Sequence, residues 1–100
     1  MKLNFHINGI SFVEMSDGSL SAKVEGKRLC NIYYKDGEYL VKCRSKYFSD
    51  FFPAKYTVGG AYLKETRNYC TYFAILTENQ LQEWLEKIIT LDISKRLDNR

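Results

Sequence analysis

A chain of 100 residues, 45% hydrophobic and 15% aromatic, is long enough for one domain with its own core and too short for two. The formal charge of +3, from 15 basic and 12 acidic residues, is below the strong basicity expected of a dedicated DNA-binding domain. No apolar run approaches the length of a membrane span.

The N-terminal part alternates between apolar and polar residues, which is typical of half-buried strands. Leu3–Ile7 predicts a first strand, and Asn8-Gly9 predicts a hairpin turn because both residue types tolerate positive φ. Residues 10–13 continue as a second strand, which ends at Ser16-Asp17-Gly18. We therefore expect the chain to open with a β-hairpin.

Three more predicted strands follow at short intervals. Residues 20–24 and 29–34 are separated by Glu25-Gly26, and residues 39–41 follow Asp36-Gly37, the strongest turn signal in the chain. Turn signals spaced about eight to ten residues apart are typical of an antiparallel meander.

The middle of the chain is less regular. Tyr47–Pro53 is an aromatic stretch that ends in the only proline, and it predicts a loop or a sheet edge. Residues 56–64 could form a hairpin around Gly59-Gly60. Tyr69–Leu76 is largely apolar on both faces, so it is the best candidate for a central strand.

A C-terminal helix is the clearest predicted element. Thr77-Glu78-Asn79-Gln80 has the pattern of a capping box. Leu81, Trp84, Leu85 and Ile88 then recur at helical spacing and form one apolar stripe. The predicted fold is α+β, with an antiparallel β-meander of about five to six strands and one C-terminal amphipathic helix packed on one face. Residues 1–100 are expected to form a single domain.

Residues that could carry chemistry are scattered. Cys30, Cys43 and Cys70 lie 13 and 27 residues apart, so no close pair offers two ligands to a zinc ion. His6 is the only histidine, and the acidic residues occur singly beside turns or on the outer face of the helix. A lone Gly59-Gly60 pair is a weak phosphate-binding signal. We predict no enzyme activity, no metal site and no cofactor.

The one notable constellation is basic and aromatic. Residues 23–64 contain nine Lys and Arg against four acidic residues. Alternation predicts that Lys42, Arg44 and Lys46 share one face of a strand while Tyr39, Val41 and Cys43 take the other, and Lys35 lies across the turn. The predicted partner-binding residues are Lys35, Lys42, Arg44, Lys46, Tyr47, Phe48, Phe51 and Phe52.

Three interpretations of this constellation are open. Cations beside stacking rings are typical of single-stranded nucleic-acid binding. Aromatic and arginine side chains also anchor protein interfaces. The third interpretation is a solvated sheet face above an aromatic core. The lack of an aromatic motif like that of RNA-recognition domains lowers the weight of the nucleic-acid interpretation.

In overall profile the chain resembles the small α+β proteins of phages and mobile elements, anti-CRISPR proteins among them. The profile includes an excess of residues with AT-rich codons: Lys, Asn, Ile, Tyr and Phe make 37 residues, whereas Gly, Ala, Pro and Arg make 16. The resemblance implies a non-enzymatic inhibitor, monomeric or homodimeric, that binds and occludes a host protein or nucleoprotein complex. The alternative is a single-stranded DNA- or RNA-binding protein.

The compartment is also predicted from the sequence. The first residues show no signal-peptide pattern, and three cysteines cannot all pair within one chain. We therefore expect a cytoplasmic protein without membrane partners, located in the host cytoplasm if a phage encodes it.

Overall fold

The computed structural model describes residues 3–53, 57–64 and 67–91, with side chains over 3–53 and 71–91. Over these ranges one antiparallel sheet of six strands carries two helices. The elements are β1 (Ser11–Glu14), β2 (Leu20–Val24), β3 (Lys27–Lys35), β4 (Glu38–Cys43), α1 (Lys46–Ser49), β5 (Thr57–Lys64), β6 (Arg67–Leu76) and α2 (Glu78–Leu91). The strand order is β1-β2-β3-β4-β6-β5, so the first four strands form a meander and β6 lies between β4 and β5. The predicted α+β fold is confirmed.

Two tight turns set the register of the meander. Asp36 and Gly37 have φ of 55° and 84°, and Glu25 and Gly26 have φ of 52° and 79°. Positive φ at both central residues is the type I′ geometry, whose twist matches that of the flanking strands. The turn at Asp36-Gly37 consequently pairs β3 with β4 without a register shift. Both predicted turns are confirmed.

The N-terminal segment does not join the sheet, so the predicted first strand over Leu3–Ile7 is wrong. The Asn4 N–H donates to Glu78 Oε2 at 2.9 Å, and Gly9 lies against the side chain of Ile89. The first contact is at the first residue of α2 and the second is eleven residues further along the helix, so the segment runs alongside α2. Its apolar residues pack on the core from that position, which satisfies the same alternation without strand pairing.

Two predictions in the middle of the chain are wrong in part or in whole. Tyr47–Pro53 was expected as a loop or sheet edge, but its first three residues belong to α1, where the Ser45 hydroxyl caps the helix by accepting a hydrogen bond from the Phe48 N–H. Residues 50–53 are outside helices and strands, as predicted. Gly59-Gly60 is not a turn, since β5 runs through it and pairs with β6 with an irregularity between Gly59 and Tyr62. The prediction of Tyr69–Leu76 as a central strand is confirmed, because β6 is flanked by β4 and β5.

Helix α2 begins at the predicted capping box. The Thr77 N–H donates to Gln80 Oε1 at 3.0 Å, and the Gln80 N–H donates to Thr77 Oγ1 at 3.1 Å. The apolar stripe of α2 is fully buried, and its Trp84 indole donates to the Phe48 carbonyl at 2.9 Å. Both helices therefore cover the same face of the sheet.

Candidate functional site

The sheet has one face covered by the helices and one open face. Tyr39, Val41 and Cys43 of β4 are buried on the helix side, as predicted. Leu40 and Lys42 point to the other side and remain partly exposed. In the described part of the chain neither helix covers that side, which we call the open face.

A depression of about 550 Å³ lies on the open face across β2, β3, β4 and β6. Ten described residues line it, and none of them is acidic. Its polar lining consists of four cations with an amide, a phenol and a hydroxyl, namely Lys23, Arg28, Lys42, Arg44, Asn31, Tyr33 and Thr71. We call this surface the basic depression. A cleft that is lined by charges of one sign and has low-dielectric walls attracts ligands of the opposite sign.

The backbone brings two of these cations directly opposite each other. A register shift after Ala22 pairs Lys23 of β2 with Arg28 of β3. Like charges at directly opposed positions destabilise an antiparallel pair. Two cations of the basic depression are therefore brought together by the pairing of β2 with β3.

Lys42 lies between two aromatic rings on the open face. Its ammonium nitrogen is 4.9 Å from the Tyr33 ring centroid and 5.6 Å from the Phe73 centroid. The pairing of β4 with β6 sets Lys42 opposite Phe73, and the pairing of β3 with β4 sets it opposite Asn31. Cation–π attraction at such distances is worth about 0.5–2 kcal/mol, so the rings hold the ammonium in place.

The positive charge of Lys42 acts on Asp17, which lies in the turn between β1 and β2. The pKa of Asp17 is lowered, mainly because its carboxylate accepts hydrogen bonds from the hydroxyl and the N–H of Ser19, with a smaller contribution from Lys42. The Ser19 hydroxyl lies 2.6 Å from Asp17 Oδ1. The carboxylate is thus engaged within its own turn.

The structure brings together only part of the predicted basic surface. Lys42 and Arg44 both line the basic depression. Lys35 is exposed at the end of β3, opposite Glu38. Lys46 belongs to α1, where its ammonium forms an ion pair with Asp50 at 3.3 Å. Lys23 and Arg28 also line the depression, although they are not among the predicted partner-binding residues.

The predicted aromatic half of the site lies on the helix side of the sheet. Phe48 and Phe52 are 8% and 9% exposed and belong to the core. Tyr47 and Phe51 are partly buried and pack edge to face, with centroids 5.5 Å apart. Two of these rings contact α2, because Phe52 packs on Trp84 and the Lys87 ammonium lies over Phe51. The four rings therefore lie apart from the basic depression.

Tyr33 and Phe73 are the rings beside Lys42, and neither is among the predicted partner-binding residues. A local signal existed for Tyr33, because a two-residue turn at Asp36-Gly37 places Tyr33 and Lys42 on the same face. Phe73 had no such signal, since it reaches Lys42 through pairing with a strand about thirty residues away in the chain.

The described thiols have the character of core residues. Burial raises the pKa of Cys30 well above its usual range and raises that of Cys43 to about 11. His6 is exposed. Across the described residues no three His, Cys, Asp or Glu side chains lie together in a metal-binding arrangement. Cys70 lies outside the described side chains.

No family model, curated protein or solved structure matches the chain. In the described residues no helix is long and apolar enough to cross a membrane.

Proposed function

We propose that this chain is a non-enzymatic protein that binds single-stranded nucleic acid on its open face. The observation that carries the proposal is the basic depression, whose described lining includes four cations and no acidic residue, and in which one of these cations, Lys42, is set between two rings. Cations that follow a phosphate backbone and rings that stack on bases are the two components of single-strand recognition.

The charge pattern favours a nucleic acid over a protein partner. The core of a protein interface is depleted of charged residues, whereas here four of the ten described lining residues are cations. The opposed Lys23 and Arg28 add to this, because a polyanion is the ligand that offsets repulsion between them. Single strands are favoured over duplexes because the rings need unpaired bases to stack on.

The test is the salt dependence of binding to a fluorescent 20-nucleotide oligothymidylate, measured by anisotropy. If the four cations each neutralise one phosphate, the log–log slope is about −2.8, and affinity falls about 50-fold between 50 and 200 mM salt. Replacing Lys23 and Arg28 with Gln should halve the slope to about −1.4. No binding at low salt, or a slope near zero, contradicts the proposal.

A matched control separates local from overall charge. Lys46→Gln with Lys87→Gln removes the same net charge from the helix side, where Lys46 pairs with Asp50 and Lys87 lies over the Phe51 ring. This double variant should retain a slope near −2.8. Equal losses in both double variants would show that binding follows net charge and not the basic depression.

A second candidate is the sequence-based hypothesis of a phage-encoded, anti-CRISPR-like inhibitor that occludes a host complex in the cytoplasm. It is favoured by two apolar side chains on the open face, Val13 and Ile75, which are 41% and 58% exposed. Exposed apolar side chains beside cations fit the anchors of a protein interface. Inhibition of a purified host complex that is lost in Ile75→Ser and retained in Leu91→Ser supports this function, and an equal effect of both variants contradicts it.

A further inference from the structure

Tyr33, Lys42 and Phe73 come from three neighbouring strands of the open face. Because Lys42 Nζ lies 4.9 Å from one ring centroid and 5.6 Å from the other, the two centroids are at most about 10.5 Å apart. Strand β4 separates the strands that carry the rings. The three groups therefore form one compact unit in which a single cation lies between two rings.

Both rings are anchored and still accessible. Tyr33 and Phe73 are partly buried, so the sheet restricts their positions without enclosing them. The ammonium of Lys42 already lies over both rings, which shows that a group of that size reaches them from the open side. A base approaching from the same side meets a π surface that stacks on any base.

Lys42 has a better partner than the rings when a phosphate is present. A hydrogen bond between an ammonium and a phosphate oxygen is charge-assisted and among the stronger polar contacts in proteins. Transfer of the ammonium from the rings to a phosphate leaves both rings free to stack. One cation between the rings corresponds to one phosphate between two bases.

We infer that this unit binds one dinucleotide step, with one base on Tyr33, the next base on Phe73, and the linking phosphate at the Lys42 ammonium. The inference rests on the proposed function and deepens it by naming the ligand unit. Sheet-based RNA-binding modules stack two or three bases on rings in a similar way. Here the unit is built on β3, β4 and β6 from a different set of residues.

The experiment measures competition against the fluorescent 20-mer at low salt. The competitors are 5′-phosphorylated thymidine mononucleotide, dinucleotide and trinucleotide. The dinucleotide should compete at least tenfold better than the mononucleotide, because a second base gains a stacking contact. The third nucleotide should add less than the second, and a mononucleotide that competes as well as the dinucleotide overturns the inference.

Ring variants test the two stacking positions. Tyr33→Leu and Phe73→Leu should each weaken dinucleotide binding by about 5- to 150-fold, whereas Tyr33→Phe and Phe73→Tyr keep a ring and should retain it. Tyr34→Leu is the matched control, because Tyr34 is 53% exposed and packs against Tyr39 on the helix side. Unchanged dinucleotide affinity in Tyr33→Leu overturns the inference. Thermal unfolding of each variant verifies that it is folded.

The lysine has its own signature in the same assay. Lys42→Met keeps most of the aliphatic stem and removes one phosphate contact, so the log–log salt slope for the 20-mer should become shallower by about 0.7. An unchanged slope overturns the role of Lys42.

The outcomes separate this inference from the proposed function. If the 20-mer does not bind at low salt, both fail. If the 20-mer binds with the expected salt slope but dinucleotide and mononucleotide compete equally, the dinucleotide unit alone is wrong. If the dinucleotide competes strongly and loses affinity in both leucine variants, both stand.

Discussion

Replacement of Trp84 by Phe tests how the two helices are held together. The Trp84 indole is 1% exposed, donates to the Phe48 carbonyl at 2.9 Å and stacks on Phe52 with centroids 4.6 Å apart. Helix α1 has only four residues and cannot be stable alone, because isolated helices shorter than about 12 residues are marginal. Its position therefore depends on these contacts with α2.

The size of the effect follows from two terms. Losing the indole removes one of two hydrogen bonds to the Phe48 carbonyl, which also accepts from the Phe51 N–H at 3.1 Å, and the net loss of one hydrogen bond costs about 0.5–1.5 kcal/mol. The smaller ring also leaves a void beside Phe52, at about 24 cal/mol per Å³, which adds about 1 kcal/mol. We expect the free energy of unfolding to fall by about 1.5–2.5 kcal/mol and Tm to fall by about 6–20 °C.

Urea unfolding and amide hydrogen exchange measure this prediction. The urea midpoint should fall without a change in m, and amides of residues 46–50 should lose more protection than those of β2 and β3. Leu91→Ala, at an exposed position on the same helix, is the control and should change stability by less than about 0.5 kcal/mol. A loss below 0.5 kcal/mol in Trp84→Phe would refute the buried hydrogen bond as a link between the helices.

Four further predictions concern stability and are measured by urea or thermal unfolding. Thr77→Ala removes the capping hydroxyl of α2 and should cost about 1 kcal/mol, and no change would mean that the cap does not form in solution. Gly37→Ala meets no steric obstacle but keeps a φ of +84°, so we expect a loss of about 1–2 kcal/mol from backbone strain, and a gain would contradict the turn geometry. Ser21→Ala should be neutral or stabilising, because its buried hydroxyl has no hydrogen-bond partner among the described residues, and a loss above 1 kcal/mol would reveal one. The raised pKa values of Cys30 and Cys43 mean that the unfolded chain releases these protons first, so stability should fall as pH rises from about 9 to about 11. This decline should be smaller in a Cys30→Ala/Cys43→Ala variant, where the raised pKa of the partly desolvated Tyr39 still contributes, and an unchanged decline would contradict the role of the thiols.

The parts of the fold that were predicted correctly depend on contacts between near neighbours in the chain. The Asp36-Gly37 turn, the Thr77 capping box and the apolar stripe of α2 each involve residues at most about ten positions apart. Leu3–Ile7 shows the limit of such reasoning. Alternation indicates an extended segment with one apolar face, but both a neighbouring strand and the side of a helix bury that face, and only the assembled core decides between them.

Helix α1 shows a second limit. Ser45 provides a cap, but the following aromatic residues have moderate helix propensity and precede a proline, so local preference favoured a loop. Burial of Phe48 and Phe52 against Trp84 outweighs that preference. Because of this burial, the predicted aromatic residues lie on the helix side of the sheet and not on the open face.

In the candidate site too, some positions follow from short-range contacts and others only from the tertiary structure. By itself the sequence determined the composition of the chain, the β3–β4 register and the side of the sheet on which Asn31, Tyr33 and Lys42 lie, because a two-residue turn permits one pairing. Tertiary structure alone decided that Phe73 lies opposite Lys42 and that Lys23 faces Arg28 across a register shift. Phe73 belongs to a strand that pairs with β4 only after α1 and β5 have intervened, so its position depends on packing of the whole core. No short-range pattern encodes that pairing.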